Sequence, residues 1–385
     1  MRILEWIDQD RFDSESLADA ATLAALLEDG HRILRVLPTN SGGDPTEATL
    51  PSSRSLRRFE WAGASRWRER GEVARLCDRF EESTVDVVWL RGRGVWSPGR
   101  RAASMLSTGC WIELGSLQEA TATRSLRGGD DLVLSVPVPS FSTSLPAEIR
   151  RRVAHVEPPT GSAPERGGRT PLSVPPPLQP PMPITASTNT DGPFPMVVLS
   201  GGRSASDRGR DRCLAAIAAI ARKNPGAFEV FLEDPIVEVP GVRKLLATSG
   251  LQPVVTAIPS IRRCRGMLAQ PAILVVPTPV GRLEPAVLEA VSRGARVVAT
   301  ADPAQRDWLG DRQRGVVVPP RASAGRWESA LVEAMASPPQ PAPPMIERWL
   351  DPALRIEAVR SVLRRFEGPI RVGFRRSGRE AAGSH

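Results

Sequence analysis

The second half of the chain alternates short apolar runs with stretches of helical periodicity, and this alternation restricts the fold more than any other feature. The apolar runs are four or five residues long and rich in valine, isoleucine and alanine, which is typical of buried strands. Strands that alternate with helices form a parallel sheet covered by helices on both faces. The predicted strands are 196–199, 228–232, 253–257, 273–276, 296–300 and 315–318. The predicted helices are 207–223, 239–249, 261–268, 284–293 and 326–336.

The first half shows the same alternation with weaker apolar runs. The residues directly after Trp6 and those at 38–57 are polar and are expected to form loops. Both halves therefore predict an α/β protein with two Rossmann-like domains. Strands are predicted at 2–6, 31–36, 85–89, 110–114 and 131–136, and helices at 17–27, 66–82 and 100–107.

A segment dense in proline separates the two halves. Residues 157–195 lack apolar periodicity, which favours a spacer over a ligand for a proline-recognising module. The predicted organisation is an N-terminal domain over 1–156, a linker over 157–195, a C-terminal domain over 196–340 and a basic helix and tail over 341–385.

Composition argues against membrane-spanning and disulfide-rich classes. The 385 residues are 41% hydrophobic and 24% charged, as in ordinary soluble proteins. No apolar run approaches the ~18 residues of a membrane span, and the N-terminus lacks the pattern of a signal peptide. The cysteines show no CxxC spacing and the histidines form no ligand pair, so we expect free thiols, a cytoplasmic protein and no metal site.

The net charge of +8 favours anionic partners without choosing among them. Most of the positive charge is arginine spread along the chain. Nucleic-acid binding ranks lowest, because the arginines are not interleaved with aromatic residues in a recognisable motif. No specific nucleic acid is expected.

The loop GGRSASDRG, residues 201–209, lies between a predicted strand and a predicted helix. Gly201 and Gly202 allow close backbone approach, and the helix N-terminus favours an anion. Arg203 and Arg208 add donors that suit phosphate oxygens. The alternative is a capped turn with two solvated arginines, and the loop alone favours that alternative.

A second site-like stretch begins where the strand 273–276 ends. Glu284 opens the following helix and Glu289 lies further along it. Two carboxylates can accept hydrogen bonds from a ribose diol. Taken alone, the stretch favours the simpler interpretation, in which Glu284 stabilises the helix dipole and Glu289 is solvated.

Together the two stretches resemble the glycosyltransferases of the two-Rossmann-domain (GT-B) type, in the large retaining family called group 1 or family 4. The segment from Gly202 to Gly209 resembles that family's GR…KG loop, with Arg208 in the lysine position. The segment EPAVLEAVSRGARVVAT is similar to the family's P-x-x-E-A-M-A-x-G-x-P-V-V-A motif. The likeness extends over nearly the whole chain, but its specific motifs lie in the second half.

The resemblance implies a hexosyltransferase-like enzyme whose two domains face each other across a cleft. It implies that a nucleoside diphosphate-sugar is the donor and that no metal or cofactor is needed. Arg203, Arg208 and Glu284 would be the catalytic residues, with the arginines stabilising the leaving diphosphate. The donor-binding set that it implies is Gly202, Arg203, Arg208, Ile258, Glu284 and Glu289.

Three departures from the family pattern leave activity open. Gly281 stands where the family's E-x7-E motif has its first glutamate, and Glu284 is the nearest substitute. The family's N-terminal Gly-Gly loop is replaced by IDQDRFDSESLADA, and WIELGSLQ replaces the segment that carries its histidine. Either the enzyme uses an unusual sugar, or the chain is a pseudoenzyme that acts as a binding or scaffold subunit.

The acceptor implied by the resemblance is a sugar or a lipid-linked molecule. The basic C-terminal helix is compatible with contact at a membrane surface. It is equally compatible with a helix that packs back across the domain interface. A cytoplasmic location, with or without membrane-surface contact, is therefore expected.

Overall fold

The computed structural model describes the parts of the chain that build both sheets and most of the helices. The described residues are 1–15, 19–39, 55–63, 65, 67–80, 84–126, 132–137, 145, 147, 155–156, 170–171, 194–198, 208–258, 272–279, 285–302, 315–337 and 351–367.

The N-terminal lobe is built on a six-stranded parallel sheet with the strand order β3-β2-β1-β4-β5-β6. The order runs outward from β1 to one edge and from β4 to the other, as in doubly wound folds. The strands are β1 (Arg2–Ile7), β2 (Arg32–Pro38), β3 (Leu56–Trp61), β4 (Val87–Arg91), β5 (Gly109–Glu113) and β6 (Leu132–Ser135).

The C-terminal lobe repeats this architecture with a second six-stranded parallel sheet. Its strand order, β11-β10-β9-β12-β13-β14, is the same order with each strand number raised by eight. The strands are β9 (Phe194–Val198), β10 (Phe228–Glu233), β11 (Val255–Ile258), β12 (Ile273–Val276), β13 (Arg296–Thr300) and β14 (Gly315–Val318). A short antiparallel pair, β7 (His155–Val156) with β8 (Thr170–Pro171), lies between the lobes in sequence.

Helices connect most of these strands. Those of the N-terminal lobe are Gln9–Glu15, Ala20–Glu28, Glu69–Asp78, Trp96–Met105 and Leu117–Ala122. Those that follow are Arg208–Lys223, Asp234–Val237, Pro240–Ser249, Pro285–Ser292, Ala324–Ala336 and Pro352–Leu363, the last of which we call the C-terminal helix.

The predicted fold class is confirmed, and most predicted elements of the second half match within one or two residues. The predicted helix 261–268 lies outside the described residues. Three elements of the first half were missed: the helix Gln9–Glu15, strand β3 and the helix Leu117–Ala122. The expectation of a loop after Trp6 was wrong, and the predicted loop at 38–57 was wrong for its last two residues, which belong to β3. Strand β3 is an edge strand, and its polar residues alternate with buried Leu56 and Phe59, so it lacks a continuous apolar run.

The C-terminal helix packs on the N-terminal lobe rather than on the lobe that precedes it in the chain. Val359, Val362 and Leu363 are buried in one apolar cluster with Ile3 and Leu23. This is the arrangement that the sequence left as an alternative to membrane contact. The apolar side of the helix is therefore covered by protein. Among the described residues, no helix is both long and apolar enough to cross a membrane.

Candidate functional site

The two site-like stretches of the second half leave neighbouring strands of the C-terminal sheet. Strand β9 pairs with β12, and Val198 lies beside Val275. The glycine–arginine loop follows β9 and the stretch toward Glu284 follows β12. Strand order reverses between these two strands, and ligands of open α/β sheets bind in the crevice at that reversal. The ends of β9 and β12, from which both stretches continue in the chain, therefore border one crevice, which we call the C-terminal crevice.

Three of the predicted donor-binding residues have described side chains: Arg208, Ile258 and Glu289. Arg208 is exposed and is the first residue of the helix Arg208–Lys223. Ile258 is buried and ends the edge strand β11. Gly202, Arg203, Glu284 and Gly281 lie outside the described residues.

Glu289 is buried, so the interpretation of this residue as a solvated helix position was wrong. Its Oε1 lies 2.7 Å from Nη2 of Arg293, one turn further along, and both side chains are almost fully buried. A buried carboxylate needs such a partner to remain charged. Glu289 is thus a rigidly held carboxylate, and its proposed role with ribose stays a prediction.

Arg210 is a buried cation beside the C-terminal crevice that the sequence did not single out. It lies in the first turn of the helix Arg208–Lys223, and its side chain is only 1% exposed. Its Nη2 pairs with Oδ1 of Asp211 at 3.1 Å. One sequence signal was available: helical periodicity places residue 210 on the same face as the apolar Leu214 and Ile217.

The N-terminal lobe contains a buried ionic cluster on one face of its sheet. Arg91 lies at the centre, with Nη1 2.9 Å from Oε1 of Glu5 and Nη2 2.6 Å from Oε2 of Glu15. Arg35 bonds the other oxygen of Glu5 at 2.5 Å. All members are at least nine-tenths buried, and positive and negative charges are equal in number. The members are Glu5, Arg11, Glu15, Asp19, Arg35, Arg91, Glu113 and Arg355.

Arg355 brings the C-terminal helix into the buried ionic cluster. Its Nη2 lies 2.9 Å from Oδ1 of Asp19 and its Nη1 lies 3.0 Å from Oε1 of Glu113. Burial alone would raise the pKa of Glu113, but Arg355, Arg91 and Arg11 outweigh it and lower that pKa to about 2. Glu113 therefore remains ionised, and the buried ionic cluster depends on the positive charge of Arg355 on the C-terminal helix.

The crevice between β1 and β4, which we call the N-terminal crevice, holds a carboxylate. Asp8 directly follows β1, and its Oδ1 accepts a hydrogen bond of 3.0 Å from the backbone N–H of Arg11. Its Oδ2 accepts one of 3.0 Å from the N–H of Gly94, in the turn after β4. The side chain is partly accessible, and burial raises the pKa of this carboxyl group.

The described residues contain no group of three side chains placed to hold a metal ion. Cys77, Cys110 and Cys213 are free thiols, as the sequence predicts. Burial raises the pKa of Cys77 to about 11 and that of Cys110 to about 12. Neither thiol is therefore a reactive thiolate near neutral pH. Cys264 lies outside the described residues.

Comparison with known proteins identifies the fold. No family model and no curated protein matches the chain. Among solved structures, HepE of Anabaena bound to UDP and glucose superposes with a TM-score of 0.65 at 14% identity, covering 95% of this chain and 100% of that one. A glycosyltransferase from Rickettsia africae gives 0.59 at 11% identity, covering 95% and 97%. The UDP-GlcNAc 2-epimerase of Methanocaldococcus jannaschii gives 0.60 at 12% identity, covering 95% and 100%. The chain has the GT-B fold that is common among glycosyltransferases.

Proposed function

We propose that this protein is a glycosyltransferase that uses a nucleoside diphosphate-sugar as donor. One observation carries the proposal: β9 and β12, which the glycine–arginine loop and the stretch with Glu284 and Glu289 follow in the chain, are neighbours where the strand order reverses. The likeness to HepE, which was solved with UDP and glucose, supports a donor of this class. Fold likeness alone would not decide the function, because one fold supports many activities.

In this proposal Arg203 and Arg208 bind the diphosphate and stabilise the charge that develops on it as the sugar leaves. Glu284 and Glu289 bind the donor's sugar and ribose hydroxyls, while the backbone at Ile258 lies near the base. Arginine charge takes the place of a metal, so the transfer needs neither metal nor cofactor. By the family resemblance we further propose a hexosyl donor and retention of the anomeric configuration.

Calorimetry with UDP, GDP, ADP and dTDP tests the nucleotide site. We expect one diphosphate to bind the wild-type protein and the Arg203→Ala and Arg208→Ala variants to lose at least about tenfold in affinity, since a charge-assisted hydrogen bond contributes about 1.5–3 kcal/mol. Arg222→Ala is the matched control, because Arg222 is exposed at the opposite end of the same helix. The proposal fails if no diphosphate binds, or if Arg222→Ala weakens binding as much as the other two.

Incubation with the matching nucleotide-sugar then separates transfer from two other outcomes. Release of diphosphate together with a glycoside or free sugar in the presence of EDTA supports a metal-independent transferase, and NMR of the anomeric proton reports retention. Conversion of the sugar without release of diphosphate would identify an epimerase instead.

A catalytically inactive binding or scaffold subunit is the second candidate. It is favoured by Gly281, which stands where the family has a glutamate, and by Glu289, whose carboxylate is paired with Arg293 inside the protein. Tight diphosphate binding with no turnover of any nucleotide-sugar would support this candidate.

The acceptor is proposed to be a sugar or a lipid-linked molecule, and the protein to act in the cytoplasm, where it can approach a membrane surface. Because Val359, Val362 and Leu363 are buried against the N-terminal lobe, contact of the C-terminal helix with a bilayer would rely on its basic residues. Co-sedimentation with anionic vesicles at low and high salt measures this contact.

A further inference from the structure

Trp67 is the most exposed large apolar side chain in the described part of the chain. It is 96% exposed, although tryptophan buries most of its surface in the average protein. An aromatic ring that is open to solvent on both faces offers a flat apolar surface to a ligand. Five other tryptophans are buried, namely Trp6, Trp89, Trp96, Trp111 and Trp327.

The turn that carries Trp67 is ordered. It follows strand β3 and leads into the helix Glu69–Asp78, whose apolar side is buried. The backbone N–H groups of Arg68 and Glu69 both donate to the carbonyl oxygen of Ser65 at 2.9 Å. A ring that is already held in place loses little conformational entropy when a ligand stacks on it.

Arginines stand on both sides of Trp67, because residues 66–70 read RWRER. Arg68 and Arg70 are exposed, and neither pairs with an acidic side chain within the described residues. Residues three apart on a helical turn are neighbours, so Arg70 lies beside Trp67. We call Trp67, Arg68 and Arg70 together the Trp67 surface.

The two acidic residues in the first turn of the helix are already paired. Oε1 of Glu69 accepts a hydrogen bond of 2.7 Å from Oγ of Ser97 and lies 3.7 Å from Nη2 of Arg101. Oε1 of Glu72 lies 2.7 Å from Nη2 of Arg75. Neither carboxylate therefore neutralises the arginines of the Trp67 surface.

The Trp67 surface lies at the same edge of the N-terminal sheet as the N-terminal crevice. Strands β1 to β4 are parallel, so the turns after β3 and β4 leave the sheet at one edge. The bond between Ser97 and Glu69 joins the starts of the two helices that follow these turns. A long ligand on the Trp67 surface can thus extend toward the crevice past Arg93, which is exposed in the turn after β4.

We propose that the Trp67 surface binds an acidic saccharide and that this saccharide is the acceptor. The acceptor role rests on the proposed glycosyltransferase function. The C–H face of a sugar ring is apolar and stacks on an indole ring. Arginine forms paired, charge-assisted hydrogen bonds with carboxylate and phosphate groups. A saccharide that carries such groups satisfies both parts of the surface.

In the transfer, a hydroxyl oxygen of the saccharide bonds to the anomeric carbon of the donor. The bond from that carbon to the β-phosphate oxygen breaks, and its electron pair leaves with the nucleoside diphosphate. The hydroxyl proton passes to water. The Trp67 surface takes no part in these steps and only holds the saccharide.

An anionic bilayer is a different partner that also suits tryptophan beside arginine. The exposed residues that precede Trp67 in the described part of this turn are the small Ala62, Gly63 and Ser65. One apolar group inserted into a bilayer gives marginal binding unless a second signal adds to it. The surface therefore fits a saccharide better than a bilayer.

Calorimetry with a galacturonate oligomer, a phosphate-bearing mannan and a neutral glucose oligomer tests the surface. We expect the wild type to bind an acidic saccharide at least about tenfold more tightly than the neutral one. Trp67→Ser, Arg68→Ser and Arg70→Ser should each weaken binding about tenfold, whereas Trp67→Phe, which keeps an aromatic ring, should retain most of it. The controls are Arg222→Ser and Val332→Ser, at exposed positions of the C-terminal lobe.

Incubation of the saccharide with the nucleotide-sugar whose diphosphate binds tests the acceptor role. We expect mass spectrometry to show the saccharide lengthened by one sugar. Trp67→Ser should raise the KM for the saccharide about tenfold and leave kcat nearly unchanged, as expected for a residue that only binds.

The outcomes separate this proposal from the proposed function. If neither acidic saccharide binds, or if a control variant weakens binding as much as Trp67→Ser, the saccharide site is overturned and the proposed function stands. Binding only to phosphatidylglycerol vesicles or only to oligothymidylate, measured in parallel, overturns it in favour of a membrane or a nucleic acid. Donor turnover without lengthening of a bound saccharide overturns the acceptor role. Absence of diphosphate binding overturns the proposed function, while saccharide binding that Trp67→Ser abolishes would still establish the surface.

Discussion

At the scale of single residues, the buried ionic cluster joins positions that are far apart in the chain. Arg355 bonds Asp19, 336 residues away, and Glu113, 242 residues away. Removal of one partner from a buried ion pair leaves the other charged and unsolvated, which costs more than the pair itself contributes. Stability at these positions therefore depends on charge balance as well as on apolar burial.

Replacement of Arg355 by methionine tests this balance. We expect the free energy of unfolding to fall by about 3–5 kcal/mol, because Asp19 and Glu113 keep buried charge without their partner. Urea unfolding followed by circular dichroism measures the change. Arg360→Met is the control on the same helix: Arg360 bonds Asp29 at 2.7 and 2.8 Å, but this pair is solvent-exposed and should contribute little. Equal losses in the two variants would contradict the role assigned to burial.

The dependence of stability on pH offers a second test at this scale. The pKa of Glu113 is about 2 in the folded protein, below the ordinary value near 4.5. A lowered folded-state pKa gives stability that is present above the unfolded-state pKa and is lost as the pH falls toward 2. The stability difference between wild type and Arg355→Met should therefore be largest above about pH 5 and shrink between pH 4 and pH 2. A difference that stays constant over this range would argue against an ionic origin.

At the scale of elements, the helix Trp96–Met105 approaches strand β4 through a glycine. Gly99 lies in the helix Trp96–Met105, and a Cβ at that position would lie 2.1 Å from Cδ2 of Leu90 on β4. The helix therefore packs unusually close to the strand that borders the N-terminal crevice. Because the Gly92–Gly94 turn connects this strand to this helix, their close packing also fixes the position of the N–H that holds Asp8.

An alanine at residue 99 should push the helix away from β4. We expect Gly99→Ala to destabilise the protein by about 1–3 kcal/mol, as overpacked core substitutions do. Gly71→Ala is a matched control in the helix Glu69–Asp78, where no atom lies within 4 Å of the added Cβ. That substitution should stabilise the protein by about 0.5–1 kcal/mol. Thermal unfolding of both variants measures the two opposite shifts, and shifts of the same sign would contradict the packing argument.

At the scale of the whole molecule, the two lobes share one strand order but are not separate along the chain. The C-terminal helix belongs by packing to the N-terminal lobe, with Val359 and Leu363 buried in one cluster with Ile3 and Leu26. The chain therefore forms the sheet of the N-terminal lobe first and that of the C-terminal lobe second, and its C-terminal helix then packs on the N-terminal lobe. A further apolar cluster includes residues from both lobes, among them Leu4 and Leu274.

A protease site inserted within the predicted linker, between residues 172 and 193, tests this arrangement. We expect the two fragments to elute together after cleavage, because the C-terminal helix of the second fragment remains packed on the first. The same cleavage in a chain that ends at residue 350 should weaken the association. Size-exclusion chromatography distinguishes the outcomes, and separation of the fragments of the cleaved full-length chain would contradict the packing described for the C-terminal helix.

The secondary structure of the C-terminal lobe was predictable because its central strands are apolar along their whole length. Strands β12 and β13 match the predicted bounds, since buried parallel strands appear in the sequence as short continuous apolar runs. The helix Gln9–Glu15 was missed, because its polar residues are stabilised by distant partners. Arg11 bonds Glu113 on strand β5, and Glu15 bonds Arg91 on strand β4.

The candidate site was only partly predictable, because its buried charged residues also have partners that are distant in the chain. Both site-like stretches of the second half were singled out by their motifs and stay predictions, while the strands that precede them, β9 and β12, are neighbours in the sheet. The buried ionic cluster had one overlooked signal, namely charges inside otherwise apolar strands, such as Glu5 in RILEWI and Arg35 in RILRVLP. Their opposite signs on adjacent strands could have indicated a pair, since Glu5 and Arg35 are directly opposed in the sheet.

The sequence by itself determined the α/β class and the two parallel sheets, because periodicity and turn chemistry are local properties. Only the tertiary structure decided that Arg355 balances the charge of the N-terminal lobe, that Glu289 is buried and that Asp8 occupies the N-terminal crevice. Charge pairing and burial depend on which strands and helices become neighbours, and residues hundreds of positions apart become neighbours only when the chain folds.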